Sequence, residues 1–134
     1  MRLSRPAIAF SIALLVALSL AVAGAGAARV VSVGSASNGK IVSLHSGDWL
    51  VVSLKGNATT GYAWRVKCVT KSVLKPRAVT YVPNPNPKHL MGVGGVYKLQ
   101  LKALKKGTTT LRLKYLRSWS GENGGSYTLR VVVS

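Results

Sequence analysis

The chain has 134 residues, which suits one domain and hardly suffices for two. It carries 19 lysine and arginine residues against two acidic ones, so its formal net charge is +17. Two carboxylates, two histidines and one cysteine are few groups from which to build a catalytic or metal site, and we expect no enzyme, no metal and no cofactor. A single cysteine also excludes an intramolecular disulfide, so the core alone must hold the domain.

The first 28 residues are typical of a secretory signal peptide. Arg2 and Arg5 form a basic start, residues 7–23 are apolar apart from two serines, and small residues follow. We expect cleavage within residues 23–28, where several alanines suit a signal peptidase. A retained membrane anchor is the alternative, although an apolar run of about 17 residues is at the short limit for spanning a bilayer.

The mature chain, residues 29–134, is then predicted to be one secreted domain. Its final compartment would be the extracellular medium, a periplasm or a lysosome-like vesicle. Without Arg2 and Arg5 it keeps 17 basic and two acidic side chains, a net charge near +15. Such a charge raises the rate of encounter with acidic partners and makes that rate sensitive to salt.

Short runs rich in valine, leucine, tyrosine and threonine alternate with glycine, proline and asparagine clusters, and no helical period is evident. Two predicted strands, residues 30–33 and 41–44, flank an Asn-Gly dipeptide at residues 38–39, which favours a tight hairpin turn. Residues 49–54 are predicted to form a third strand, and we assign Trp49 to the core.

Alternation of apolar and polar residues marks a fourth predicted strand, residues 62–68. Tyr62, Trp64 and Cys68 have the same parity, and we assign their face to the core. Cys68 is therefore predicted to be a buried, inert thiol rather than a nucleophile.

The second half of the domain follows the same pattern. A short strand at residues 79–82 leads into a proline-rich connection, residues 83–87, which must be an exposed loop because alternating prolines cannot sit in a central ladder. Seven or eight strands of this kind indicate an all-β, antiparallel sandwich. The predicted inward-facing residues of its later strands are Tyr97, Leu99, Leu101, Ala103, Leu111, Leu113, Tyr115, Tyr127, Leu129, Val131 and Val133.

Three connections carry residues that a plain turn does not require. They are residues 57–64, with the sequence Asn-Ala-Thr-Thr-Gly-Tyr-Ala-Trp, residues 90–95, with Leu-Met-Gly-Val-Gly-Gly, and residues 117–121, with Arg-Ser-Trp-Ser-Gly. Because loops of an antiparallel sandwich alternate between its two ends, we predict that all three lie at one end, which is a general design for a binding site.

In these connections the chain resembles the chagasin family of cysteine peptidase inhibitors. That family carries an Asn-Pro-Thr-Thr-Gly-aromatic loop, a Gly-x-Gly-Gly loop and an Arg-Pro-Trp loop, in this order, and residues 57–62, 92–95 and 117–119 are the counterparts here. The resemblance implies an immunoglobulin-like sandwich and a monomeric, reversible, tight-binding inhibitor. Its partners would be papain-like (clan CA) cysteine peptidases, whose active-site cleft the three loops would occlude.

The resemblance also implies a role for each loop. The first would enter the catalytic centre, with Thr59 and Thr60 near the thiolate, while the other two grip the groove walls through Trp119 and Arg117. The predicted peptidase-binding residues are Asn57, Ala58, Thr59, Thr60, Gly61, Tyr62, Leu90, Gly92, Val93, Gly94, Gly95, Arg117, Ser118 and Trp119.

Two positions depart from the family pattern, because Ala58 and Ser118 stand where prolines are usual. Each loss frees a backbone angle and is expected to cost about 0.4–1 kcal/mol when the loop is ordered on binding, so inhibition should be weaker but not absent. Ala58 also completes an acceptor sequence for N-glycosylation at Asn57. We expect Asn57 to remain unmodified in the active protein.

Two rival functions are open. The charge suits a binder of nucleic acid or anionic surfaces, but the basic residues are spread over outward faces without interleaved exposed aromatics, so a solvated basic surface is preferred. We accordingly expect no nucleic-acid partner, and no membrane partner after signal cleavage. An adhesin or carbohydrate-binding sandwich would use Trp119 and Tyr81 as sugar platforms, yet it explains neither the threonine loop nor the glycine loop.

Overall fold

The computed structural model describes residues 28–134, so the predicted signal peptide lies outside the described residues except for Ala28. No helix in this part of the chain has the length and apolar character needed to cross a membrane. Single-turn 3-10 helices occupy Ser35–Ser37 and Ala58–Thr60. The strands are β1 (Val30–Val33), β2 (Ile41–Leu44), β3 (Trp49–Gly56), β4 (Tyr62–Cys68), β5 (Leu74–Pro83), β6 (Gly95–Ala103), β7 (Gly107–Arg117) and β8 (Asn123–Val133).

The eight strands form two four-stranded sheets. Sheet 1 has the order β1-β3-β6-β5 and sheet 2 the order β2-β8-β7-β4. The prediction of an immunoglobulin-like β-sandwich is confirmed. It is not wholly antiparallel, however, because β1 runs parallel to β3 and β2 runs parallel to β8. Both exceptions involve short edge strands whose sequence neighbours lie in the opposite sheet.

The predicted hairpin at residues 38–39 is wrong, because β1 and β2 belong to different sheets. The Asn-Gly dipeptide instead lies in the connection that leads from β1 in sheet 1 to β2 in sheet 2, and it bonds this connection to β8. The Gly39 amide donates to the Thr128 carbonyl at 2.7 Å, and the Asn38 side-chain oxygen accepts from the Thr128 amide at 2.9 Å. Gly39 has a φ of 80°, so the left-handed conformation expected of the dipeptide is present but serves a sheet-to-sheet crossover.

The core lies between the sheets and follows the predicted alternation of β6, β7 and β8. Tyr115 is the exception at the margin, since it is only half-buried and packs against the core from one end. The Tyr127 hydroxyl, deep in the core, donates to the Gly34 carbonyl at 2.9 Å, which satisfies the one polar atom of that ring. The fully buried side chains include Leu44, Leu50, Val52, Leu74, Leu99, Leu101, Leu111, Leu113, Tyr127, Leu129, Val131 and Val133.

Trp49 is not a core residue, which corrects the prediction. In β3 the inward positions are Leu50, Val52 and Leu54, so Trp49 has the opposite parity and lies half-buried on the outer face of sheet 1. The Lys102 ammonium lies 5.2 Å from the centre of its ring. The indole therefore makes a cation–π contact with Lys102 at the surface and is not part of the core.

Cys68 is likewise exposed rather than buried. A bulge between Val66 and Cys68 inserts one residue into β4, so Val66 pairs with Leu113 while Cys68 pairs with Arg112. Because Leu113 faces the core and Arg112 faces solvent, the extra residue reverses the parity of the strand at its end.

Asp48 is the one buried carboxylate among the described residues, with a relative exposure of 3%. One carboxylate oxygen accepts from the Arg29 amide at 3.2 Å, and the other accepts from the Arg29 guanidinium at 3.0 Å and the His45 amide at 2.8 Å. Burial alone would raise the pKa of Asp48, but these donors outweigh it and hold the pKa below its ordinary value of 3.8. This contact ties the start of the domain to the β2–β3 turn.

We predict that Asp48→Asn lowers the free energy of unfolding at pH 7 by about 1–3 kcal/mol, because it removes a charged acceptor of three hydrogen bonds. Because the pKa of Asp48 is lower in the folded state than in the unfolded state, the ionised carboxylate stabilises the fold at neutral pH. This stabilisation is lost as the pH falls below about 4, where the carboxylate becomes protonated. Urea unfolding of both proteins at pH 7 and about pH 3 should therefore show a smaller gap at the acid pH. A gap that stays constant would contradict the assignment.

Candidate functional site

Three loops meet at one end of the sandwich, and we call this region the loop end. Loop 1 is residues 57–61, loop 2 is residues 84–94 and loop 3 is residues 118–122. Loops 1 and 2 are joined by the Asn57 side-chain amide, which donates to the Gly92 carbonyl at 2.8 Å. Loop 3 closes on loop 1 from the other side, because the ring of Trp119 lies directly against Gly61. The structure thus brings together the three segments that the sequence singled out.

Loop 1 is a capped turn of 3-10 helix. The Asn57 side-chain oxygen accepts from the Thr59 amide at 3.1 Å and from the Thr59 hydroxyl at 2.6 Å. The Thr60 hydroxyl donates to the Asn57 carbonyl at 2.6 Å, and Gly61 ends the turn with a φ of 82°. Both threonine hydroxyls are therefore used within the loop, while Ala58, Thr59 and Thr60 are exposed at its apex.

Tyrosines from three strands support loop 1 from below. The Tyr115 hydroxyl accepts from the Asn57 amide at 2.7 Å, and the Tyr97 hydroxyl donates to the Tyr62 carbonyl at 3.0 Å. The Tyr62 and Tyr115 rings stack with centroids 5.0 Å apart. Burial raises the pKa of Tyr97, so its phenol stays protonated and able to donate well above neutral pH.

The two aromatic residues predicted for the core of β4 differ in their surroundings. Trp64 packs against the core, and its indole nitrogen donates to the Lys55 carbonyl at 3.0 Å. Tyr62 is half-buried at the base of the loop end, where it contacts Tyr115 and Arg117 instead. Tyr62 therefore lies at the loop end rather than in the core.

Arg117 ends β7 and lies under the loop end as a brace. Its guanidinium carbon is 4.5 Å from the centre of the Tyr62 ring and 5.5 Å from that of Trp119. Its Nε donates to the Thr60 carbonyl at 3.2 Å, and a terminal nitrogen pairs with the Glu122 carboxylate at 3.2 Å. Through these two contacts, and with its side chain 30% exposed, Arg117 holds loops 1 and 3 in place. The sequence did not reveal Glu122 as its partner.

The glycines of loop 2 allow close packing against neighbouring backbone. A Cβ atom at Gly94 would lie 2.9 Å from the Gly56 carbonyl oxygen, and one at Gly95 would overlap the Val82 carbonyl. Gly95 is buried and Val93 half-buried, whereas Gly92 is exposed and turns the chain with a φ of 72°. The close backbone approach expected at these glycines is made within the molecule.

The exposed surface of the loop end carries three large apolar side chains. Trp119 is 72% exposed, Leu90 62% and Met91 96%, which makes them three of the most exposed large hydrophobic residues described. Ser118 is exposed beside Trp119. Large apolar side chains that protrude from a braced set of loops are typical of a protein-binding surface.

Within residues 28–134, no group of three or more histidine, cysteine, aspartate or glutamate side chains is placed to hold a metal ion. His45 contacts the Ser134 hydroxyl at 3.0 Å, far along the chain from His89 in loop 2. The loop end instead consists of exposed apolar side chains on three loops whose backbones are held together by side-chain contacts.

Comparison with known proteins identifies the family. Residues 43–133, more than half of the chain, match the model of the chagasin family peptidase inhibitor I42. The chain belongs to the chagasin family of cysteine peptidase inhibitors. The match contains all three loops, so the family assignment and the loop end refer to the same part of the molecule.

Two curated relatives illustrate the extent of the similarity. Chagasin of Trypanosoma cruzi is 32% identical over 95 residues, which cover 68% of this chain and 84% of the relative. Amoebiasin-2 of Entamoeba histolytica is 36% identical over 72 residues, which cover 54% of this chain and 58% of the relative. The match with amoebiasin-2 thus spans less than two thirds of that protein.

A solved structure of a family member has the same fold. The cysteine protease inhibitor EhICP2 from Entamoeba histolytica is similar with a TM-score of 0.70 and 28% identity, covering 79% of this chain and 96% of the other. The chagasin-family sandwich is therefore present as a whole.

We predict that Gly61→Ala disorders loop 3, whereas Gly92→Ala does not. Both glycines have a positive φ, so alanine strains the backbone at either position by about 1–2 kcal/mol. Only at Gly61 would the new methyl group overlap Trp119, since no atom lies within 4 Å of a Cβ at Gly92. The indole N–H resonance of Trp119 in a two-dimensional NMR spectrum, assigned with Trp119→Phe, should shift or broaden in the Gly61 variant alone.

Equal perturbation of the Trp119 signal by both variants would contradict the contact between loops 1 and 3. Thermal unfolding of the two variants serves as the control, because the shared backbone strain should lower both melting temperatures to a similar extent.

Proposed function

We propose that the chain is a non-enzymatic, reversible and tight-binding inhibitor of papain-like cysteine peptidases, and that the loop end is the surface that enters their active-site cleft. Membership of the chagasin family supports the peptidase class. The single structural observation that supports the site is the joining of the three loops by side-chain contacts through Asn57, Arg117 and Trp119. A braced surface of this kind loses little conformational entropy on binding.

Loop 1 is suited to block a catalytic groove without being cleaved. A papain-like peptidase attacks a substrate carbonyl with a thiolate at the bottom of a groove, and attack needs an extended peptide in the correct geometry. Here the apex, residues 58–60, is a helical turn closed by three internal hydrogen bonds through Asn57 and Thr60. The exposed parts of Thr59 and Thr60 would fill the groove while the hydroxyls keep the turn closed.

Loops 2 and 3 would contact the walls of the groove through apolar surface. Trp119 in loop 3, and Leu90 and Met91 in loop 2, are the exposed large hydrophobic side chains described in these loops. Gly92 and Ser118 complete the exposed contact surface. Arg117, Asn57 and the buried Gly95 would act by positioning these groups rather than by touching the peptidase.

Asn57 would remain unglycosylated in the active inhibitor. Its Nδ2 atom, to which a glycan would be attached, lies 2.8 Å from the Gly92 carbonyl and is part of the contact between loops 1 and 2. A sugar at this position would separate the two loops. We further propose that the domain acts as a monomer after export across a membrane and removal of the residues before position 29, in keeping with the sequence of the first 28 residues.

We predict that the purified domain, residues 29–134, inhibits papain at nanomolar concentration and that Thr60→Arg weakens inhibition by more than 100-fold, because a large cation at the apex cannot enter the groove. Trp119→Ala should mainly accelerate dissociation. The matched control is Thr108→Arg, which adds the same charge at an exposed position at the other end of β7. Progress curves of papain with a fluorogenic peptide give the rate constants for association and for dissociation of the inhibitor.

If the unaltered domain fails to inhibit papain and a cathepsin-L-like enzyme at micromolar concentration, the proposed function is wrong. If the two arginine variants lose inhibition equally, the loop end is not the site.

We also predict that Ala58→Pro strengthens inhibition about 2–5-fold, which corresponds to about 0.4–1 kcal/mol of ordering entropy. The structure suits proline at this position, because Asn57 is extended, with φ of −141°, and Ala58 is the first residue of its 3-10 helix. Ala58→Gly, which makes the loop more flexible, should weaken inhibition. The measurement is the dissociation constant for papain. An unchanged constant would show that the free loop already has its bound order, and weaker binding would show that proline distorts the turn; either result would contradict the prediction.

A further inference from the structure

The outer face of sheet 2 carries a stripe of cations, which we call the basic face. Arg130 in β8 lies opposite Ile41 of β2 and Thr110 of β7. On the far side of β7, Arg65 lies directly opposite Lys114. The stripe crosses all four strands, and its cations are Lys40, Arg65, Arg112, Lys114 and Arg130.

No carboxylate side chain neutralises the basic face. The two acidic residues of the chain are engaged elsewhere, Asp48 with Arg29 and Glu122 with Arg117. Like charges directly opposite one another on a sheet are destabilising, so the pair Arg65–Lys114 gains from any anion that binds between its members. The face therefore has the character of an anion-binding surface rather than of a salt-bridged one.

A shallow groove runs along the β2 side of this face. Its volume is about 350 Å³, and its polar lining combines cations and hydroxyl groups on β7 and β8 with Lys40, which precedes β2. Arg112 and Arg130 are exposed, so their guanidinium groups are free to form paired hydrogen bonds with the oxygens of a tetrahedral anion. The groove is lined by Gly39, Lys40, Ile41, Thr110, Arg112, Thr128 and Arg130.

We propose that the basic face binds a linear sulfated polysaccharide, with sulfate groups on Lys40, Arg112 and Arg130 and sugar hydroxyls on Thr110 and Thr128. Ile41, which is 66% exposed at the edge of the groove, offers apolar surface to a sugar ring. The extended stripe of cations suits a polysaccharide that carries one sulfate group after another along its length.

The rest of the face favours a polysaccharide over other polyanions. None of the outward-facing residues described on sheet 2 is aromatic, so unstacked nucleic-acid bases have no platform there. Ile41 is the only exposed large hydrophobic residue described on this face, whereas Leu90, Met91 and Trp119 lie at the loop end, so the face offers a membrane surface a single apolar anchor.

The basic face and the loop end are separate surfaces. Arg112 precedes Arg117 by five residues along β7, which is about 16 Å of extended chain, and Arg130 lies further from the loop end. A peptidase held at the loop end would leave the groove open. The inhibitor could then be retained on a sulfated matrix while its loops remain available, and this inference does not depend on the proposed peptidase function.

The test is affinity for heparin at physiological salt, measured by calorimetry and by elution from a heparin column. Arg112→Gln combined with Arg130→Gln should weaken binding at least 10-fold and elute at lower salt. The matched control is Lys75→Gln combined with Lys98→Gln, which removes the same charge from exposed positions on sheet 1 and should weaken binding less than about threefold. Desulfated heparin, a DNA duplex and vesicles with half anionic lipid are the comparison ligands, and each should bind more weakly than heparin.

Equal losses in the two double variants would mean that net charge alone binds heparin, and this would overturn the proposal. Binding of the DNA duplex or of the vesicles as tight as that of heparin would overturn it as well, in favour of that ligand. A second measurement uses the unaltered protein: addition of a heparin hexasaccharide should shift the amide resonances of Thr110 and Thr128 and leave those of Thr80 and Lys98 unchanged. Shifts confined to sheet 1 would place the site elsewhere.

Discussion

The Asn57 side chain is the contact on which the loop end depends. Its oxygen caps the turn of loop 1 through Thr59, its nitrogen joins loop 2 at Gly92, and its main-chain amide is held by the Tyr115 hydroxyl below. An asparagine is needed because only a side-chain amide both accepts and donates at this length. Aspartate could cap the turn but could not donate to a carbonyl, and serine could not reach both partners.

This arrangement explains how the chain manages without the two prolines of the family pattern. Proline would restrict the backbone through its ring, whereas here the same loops are restricted from outside by hydrogen bonds and packing. Loop 1 is held through Asn57 and Thr60, and loop 3 through the contacts of Arg117 and Trp119. Contacts of this kind restrain the folded state only, while proline also restrains the unfolded chain, so the two devices are not equivalent in stability.

The sequence predicts most of the fold because period-two alternation is a local signal. The strands from Tyr97 to Ala103 and from Tyr127 to Val133 confirm it residue by residue. The failures occur where a distant partner decides the outcome. The Asn-Gly dipeptide at residues 38–39 is bonded to Thr128, and the bulge that exposes Cys68 is visible only against Arg112. The assignment of Trp49 to the core is wrong for a local reason, because its parity in β3 is opposite to that of the buried Leu50.

The loop end shows the same limit, and it also shows how charge is distributed in the molecule. Three motifs could be found in sequence, but the pairing of Arg117 with Glu122 could not, and this pairing offsets the charge of the arginine between loops 1 and 3. Apart from Lys88 in loop 2, the remaining lysine and arginine residues described lie outside the three loops. Charge at that distance affects how often the molecule meets an acidic partner or surface and is screened by salt, whereas the tip, with Trp119 and the braced threonines, acts only at contact. Under the proposed function, encounter and recognition are carried by different surfaces, so a change in one can leave the other intact.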